Sequence, residues 1–143
     1  MDRQQLIDFF DRYRAAFDRL DGDAVADCWH TPSAIADSRD GHGHGRVTVW
    51  TEEAPMRANM QALCAVYREA GFARTEFELL EHLAFGPDHM VAHLRWTLWR
   101  RDGSLLQRFG TAYQLLRGAD GWRVFGATAY QEDISEMKRH VAQ

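Results

Sequence analysis

Cysteine is nearly absent from this chain of 143 residues, which has only Cys28 and Cys64. Two isolated thiols exclude a disulfide framework and a thiolate zinc site, and both fall in apolar helical patterns, so a reducing, cytoplasmic compartment is expected. Positive charge is also short. A formal net charge of -4 removes the electrostatic footprint of a dedicated nucleic-acid binder and leaves no polybasic membrane anchor. No long apolar run is present: the first ten residues carry charges where a signal peptide would be apolar, and nothing approaches a membrane span. The length excludes a repeat array or several domains, so a single domain over residues 1–143 is expected. What the chain does have is aromatic content, 12% of its residues, within an apolar fraction of 45%. A chain of this size buries roughly two thirds of its unfolded surface on folding, so a true core is expected.

Apolar residues Leu6, Phe9, Phe10, Tyr13, Ala16, Phe17 and Leu20 recur at helical spacing and predict an amphipathic helix over Gln4–Leu20. Asp21-Gly22-Asp23 reads as a glycine stop followed by an Asp23 cap for a short helix over Ala24–Trp29, closed by Pro32. Ser33–Ser38 and Val47–Trp50 read as short strands around a glycine-rich loop, Asp40–Arg46. Thr51 is the expected cap of a third helix, whose stripe is Met56, Met60, Leu63, Cys64 and Tyr67 and whose stop is Gly71. Beyond Gly71 the apolar period becomes two, predicting strands over 73–85, 90–101, 104–117 and 122–130. A short helix over Glu132–His140 completes the expected order.

Matching faces sets the expected register. A four-residue loop, Gly86 to His89, joins the first two long strands, because a slip of one residue would turn one strand over. The Asp102-Gly103 turn sets Trp96 opposite Phe109, Leu94 opposite Thr111 and Ala92 opposite Tyr113. The Gly118–Gly121 turn then sets Tyr113 opposite Gly126 and Thr111 opposite Thr128. One face carries Phe77, Leu79, Trp96, Phe109, Tyr113, Val124, Thr128 and Tyr130. The other mixes His82, His93, Arg95 and Arg108 with Leu80, Trp99, Leu106, Leu116 and Phe125, too apolar for a purely solvated surface. The class is α+β, with helices on one face of a curved antiparallel sheet, and the half-apolar outer face is an expected homodimer surface.

The element order resembles the nuclear transport factor two-like superfamily, including its SnoaL-like and ketosteroid-isomerase-like members. The resemblance rests on Leu20-Asp21-Gly22-Asp23, on the passage through Trp29 and Ala34-Ile35-Ala36-Asp37, and on Asp120-Gly121-Trp122-Arg123-Val124. It implies a cystatin-like fold: a cone-shaped, strongly curved antiparallel sheet with the N-terminal helices packed on its concave face. It also implies an apolar pocket and, often, a homodimer. Against ketosteroid isomerase, Tyr13 falls on the oxyanion-donor tyrosine and Asp37 on the general base. A carboxylate in a dry cavity can move a proton beside a carbonyl while a phenol steadies the enolate. The family's second acid is replaced by Tyr113 or a neighbour, and the proline after the base by Ser38.

Structural readings stand beside these. Tyr13 lies on the apolar stripe of its helix and is core on that ground alone. Asp37 reads equally as a turn residue or a partner of Arg39. His42 and His44 can share one face of an extended segment, but no third ligand follows at good spacing, so no metal and no cofactor are expected. His82 and His93 read as a cross-strand polar pair. The expected ligand is a small apolar molecule, framed by Met60, Tyr67, Phe77, Trp96, Phe109 and Thr128 with Asp37, Tyr13 and Tyr113 as the chemical groups. The alternative is a non-catalytic homodimeric domain with a filled cone, acting through its outer face near Trp99 and Phe125.

Overall fold

A computed structural model describes residues 1–38 and 43–130. The expected Glu132–His140 helix and His42 lie outside these residues. Helix α1 (Arg3–Asp18) starts at a capping box in which Asp2 and Gln5 satisfy each other's backbone N–H groups. It buries Leu6, Phe9, Phe10, Tyr13 and Ala16. Asp21, not Asp23, caps α2 (Gly22–Ala26), accepting the Ala24 N–H at 3.0 Å. Helix α3 (Glu53–Glu69) buries Met56, Met60, Cys64 and Tyr67. Its N-cap is Glu52 rather than Thr51, and no side chain caps it. Gly71, at φ 86°, ends the helical turn in the left-handed region that suits glycine.

The strands are β1 (Trp29–Asp37), β2 (Arg46–Trp50), β3 (Phe72–Phe85), β4 (His89–Arg100), β5 (Leu105–Gly118) and β6 (Gly121–Tyr130). β1 starts four residues before the expected Ser33, so Pro32 lies inside a strand rather than closing a helix. They form one curved, unclosed sheet in the order β2-β1-β6-β5-β4-β3. Every neighbouring pair is antiparallel except β1 and β6, which run parallel. The helices cover one face, and Leu6, Phe10, Met56, Met60, Leu94, Leu106, Leu115 and Val124 are fully buried between the layers.

Bulges decide which side chains face inward. Between β4 and β5 the expected pairs Trp96–Phe109, Leu94–Thr111 and Ala92–Tyr113 are all present. The turn is longer than two residues, with Gly103 at φ 86°, and a bulge at Leu106 restores the alignment. That bulge buries Leu106 completely, whereas alternation placed it on the outer face. Between β3 and β4 a bulge at Leu80 sets His82 opposite Ala92 instead of His93, and turns Leu83 and Phe85 to the outer side with Val91 and His89. Between β5 and β6 a bulge at Phe125 shifts the partners by one residue, giving Tyr113–Ala127, Thr111–Ala129 and Gly110–Tyr130. Ala127 and Ala129 therefore face inward, and Thr128 and Tyr130 outward.

Candidate functional site

The sheet's covered face and helices α1 and α3 enclose a cavity leaving about 90 Å³ open to the centres of water-sized molecules. Of the residues expected to frame it, Tyr13, Met60, Tyr67, Trp96, Phe109 and Tyr113 line it. Trp29, Thr111, Ala127 and Ala129 line it as well, and among the described residues no charged side chain does.

Two expected wall residues lie elsewhere. Phe77 packs on the far side of Trp96, with ring centroids 5.4 Å apart, and lines a groove between α1 and β3. Thr128 is exposed on the outer face, because the Phe125 bulge hands its inward place to Ala127 and Ala129.

Two indole–phenol pairs organise the cavity. Trp29 Nε1 donates to the Tyr13 hydroxyl at 3.2 Å, and Trp96 Nε1 donates to the Tyr113 hydroxyl at 2.9 Å. The two tyrosine rings lie 6.0 Å apart, centroid to centroid. Each phenol oxygen accepts from an indole, so its own hydrogen is what it presents to a further acceptor. Burial, reinforced by the nearby Tyr113, holds the Tyr13 phenol well above its ordinary pKa despite the opposing Trp29 hydrogen bond. Tyr13 is thus a neutral donor.

Asp37 ends β1 and is not in the cavity wall. Its side chain is 6% exposed, and Arg46, its register partner in β2, donates from Nε to Oδ1 at 2.6 Å. Asp37 nonetheless shares a strand face with Ile35, which lines the cavity two residues away. His44 is exposed, with Nδ1 3.1 Å from the Gly45 carbonyl oxygen. Among the described residues no group of three metal-binding side chains converges.

The sequence pattern of the family described as NTF2-like protein (DUF6841) matches residues 4–132. The chain belongs to this family. No curated protein matches it. The NTF2-like fold is also shared with solved structures of low identity. A domain of unknown function with a cystatin-like fold from Nostoc punctiforme superposes with a TM-score of 0.71 at 14% identity, over 99% of this chain and 83% of that one. An NTF2-like protein from Novosphingobium aromaticivorans gives 0.68 at 17% identity, over 99% and 89%. A ketosteroid isomerase-like protein from Erwinia carotovora atroseptica gives 0.60 at 15% identity, over 85% and 88%.

The outer face of this NTF2-like sheet differs from the expected one. Trp99 is half-buried beneath the Arg74 guanidinium, 5.5 Å from its ring, and Phe125 is half-buried beside His89. The exposed apolar side chains are instead Val47 at 65%, Val49 at 60%, Leu83 at 59% and Phe85 at 56%. Between them Tyr130 lies flat over Gly110 and hydrogen-bonds His93, and Gln114 lies over Gly126. Among the described residues no helix is long and apolar enough to cross a membrane.

Proposed function

We propose that this NTF2-like domain binds a small apolar molecule in its cavity, where Tyr13 and Tyr113 orient it by hydrogen bonds. The observation that carries this is an aromatic-rich wall, uncharged among the described residues, in which two indoles donate to two phenols. Such sites, apolar with a few convergent polar groups, are the usual form of ligand pockets. The enzymatic form of this reading takes Asp37 as a base for proton transfer, and its place one strand step beyond Ile35 supports it. The test is a thermal-shift panel of small apolar carbonyl compounds and epoxides, since a ligand bound only to the native state raises apparent stability. Wild type should shift with at least one compound, and Ala127→Leu, which fills the cavity, should not. No shift in wild type, or an equal shift in Ala127→Leu, overturns the reading.

A second reading, pairing of two copies through the outer sheet face, is favoured by the exposure of Val47 and Val49 beside Ala34 and Ala36. Those small residues neighbour Gly126 and Thr128 on β6, so the exposed valines stand at the β2 edge with little side-chain bulk beside them to hinder self-complementary packing. Sedimentation should give a dimer for wild type and a monomer for Val49→Lys. A wild-type monomer removes this reading and leaves the first intact.

A further inference from the structure

Besides the two paired phenols, the cavity wall carries the hydroxyl side chains of Tyr67, Thr75 and Thr111. Thr111, in the middle of β5, is 3% exposed and lines the cavity, and its Oγ1 is buried with no hydrogen-bond partner among the described residues. Its surroundings offer little. The strand partners are Leu94 and Ala129, and Phe109 and Tyr113 flank it on the same face of its own strand. The other threonine of the wall behaves differently: Thr75 Oγ1 donates to the Thr97 carbonyl oxygen at 3.1 Å. A valine would fill the place of Thr111 with the same shape and without a stranded oxygen, so burial alone gives no reason for the hydroxyl.

We infer that Thr111 is a specificity-determining residue whose hydroxyl pairs with the oxygen of a neutral, ring-shaped ligand carrying a phenolic hydroxyl or a ketone. The inference rests on the cavity-binding reading above and names its ligand class. Three features of the wall specify that class. With no charged side chain lining it among the described residues, an ionised ligand finds no counter-charge there and loses its hydration on entry. Trp96, Phe109 and Tyr113 offer broad flat faces, which favour a ring over a flexible chain. A hydroxyl both donates and accepts, so Thr111 meets a ketone oxygen or a phenol equally well. The open volume, at roughly 10–15 Å³ for each water-sized position, suits a molecule of one ring with a substituent.

The probes are para-cresol and toluene, which differ by one hydroxyl, measured by calorimetric titration of the full chain. Wild type should bind para-cresol about tenfold more tightly than toluene. Thr111→Val should lose most of that preference while its affinity for toluene changes less than about twofold, and Thr111→Ser should keep the preference. In the absence of ligand, Thr111→Val should melt at or above the wild-type temperature, because the hydroxyl it removes has no partner to lose. A Thr111→Val protein that retains the tenfold preference overturns the inference and leaves the cavity-binding reading standing. A marked fall in its ligand-free melting temperature also overturns it, by showing that the hydroxyl serves the fold. If wild type binds neither probe while another compound of the panel binds, the ligand class is wrong; if nothing binds, both readings fall.

Discussion

Trp96 on β4 and Tyr113 on β5 are tied across the sheet by an indole N–H donated to the phenol oxygen at 2.9 Å. Both residues are almost wholly buried, at 3% and 4% exposure, so the indole N–H has little access to bulk water. Tyr113→Phe should therefore cost about 1–3 kcal/mol, the usual penalty for leaving a buried donor unsatisfied. Urea unfolding should show a lower midpoint at an unchanged slope. Pairing the change with Trp96→Phe should cost less than the sum of the two single changes, because the stranded N–H is then gone. Strict additivity would show that the bond contributes nothing.

Tyr13 makes stability sensitive to alkaline pH. An unfolded tyrosine ionises near pH 10. In the fold, burial raises the Tyr13 value well above that, so above pH 10 the unfolded chain binds fewer protons than the native one. The contribution of Tyr13 is complete below pH 10 and declines as pH rises toward its native value, at up to about 1.4 kcal/mol per pH unit for one group. Urea midpoints between pH 9 and 11 should fall more steeply for wild type than for Tyr13→Phe. Parallel slopes would count against a buried, neutral phenol.

The Asp37–Arg46 pair joins the end of β1 to the start of β2. Arg46 is 42% exposed, so solvent screens the attraction and the pair is worth about 1 kcal/mol at most. Asp37→Asn and Arg46→Gln should each lower stability by about that amount, and the double change by little more than either. Both losses should shrink in 1 M salt, on the order of ten times the ionic strength at which the Debye length is about 10 Å. A loss above about 3 kcal/mol for either single change would mean that this contact behaves as a fully buried charge pair.

A methyl group at Gly110 would overlap the ring of Tyr130. Gly110→Ala must therefore lift the ring off the sheet and break its hydrogen bond to His93. The expected loss is about 1–3 kcal/mol, as for other overpacked sites. Adding Tyr130→Ala to Gly110→Ala should recover part of it, because the clash is then removed. No recovery would show that the strain lies in the backbone.

The helices were legible because their apolar stripes repeat over several turns, as Leu6, Phe9, Phe10 and Tyr13 do on α1 and Met56, Met60, Cys64 and Tyr67 on α3. The inward placement of Trp96, Phe109 and Tyr113 was legible for a similar reason, since alternation over the β4–β5 pair admits one alignment that buries all three. Thr128 was not. A single extra residue at Phe125 reverses every side chain after it, and the one mark of the bulge is Gly126 beside it, a glycine inside a strand whose significance strict alternation passes over. The expected His82–His93 pair fails through the same kind of insertion at Leu80, which sets His82 opposite Ala92. Trp29 escaped because the sequence reads as the end of a helix there, while the strand that carries its indole to Tyr13 has already begun.

The parallel contact between β1 and β6 sets when the cavity can exist during synthesis. Its walls include Ile35 near the start of the chain and Ala127 and Ala129 near the end, and these become neighbours only when β6 slides in beside β1. Without that strand, β1 has no partner on the side away from β2, and β5 has none on the side away from β4, so two sheet edges lack their neighbour. A nascent chain stopped before residue 121 lacks Ala127 and Ala129 and so has no complete cavity wall. A ligand can act as a folding aid for the finished protein only, and not for the chain still being made.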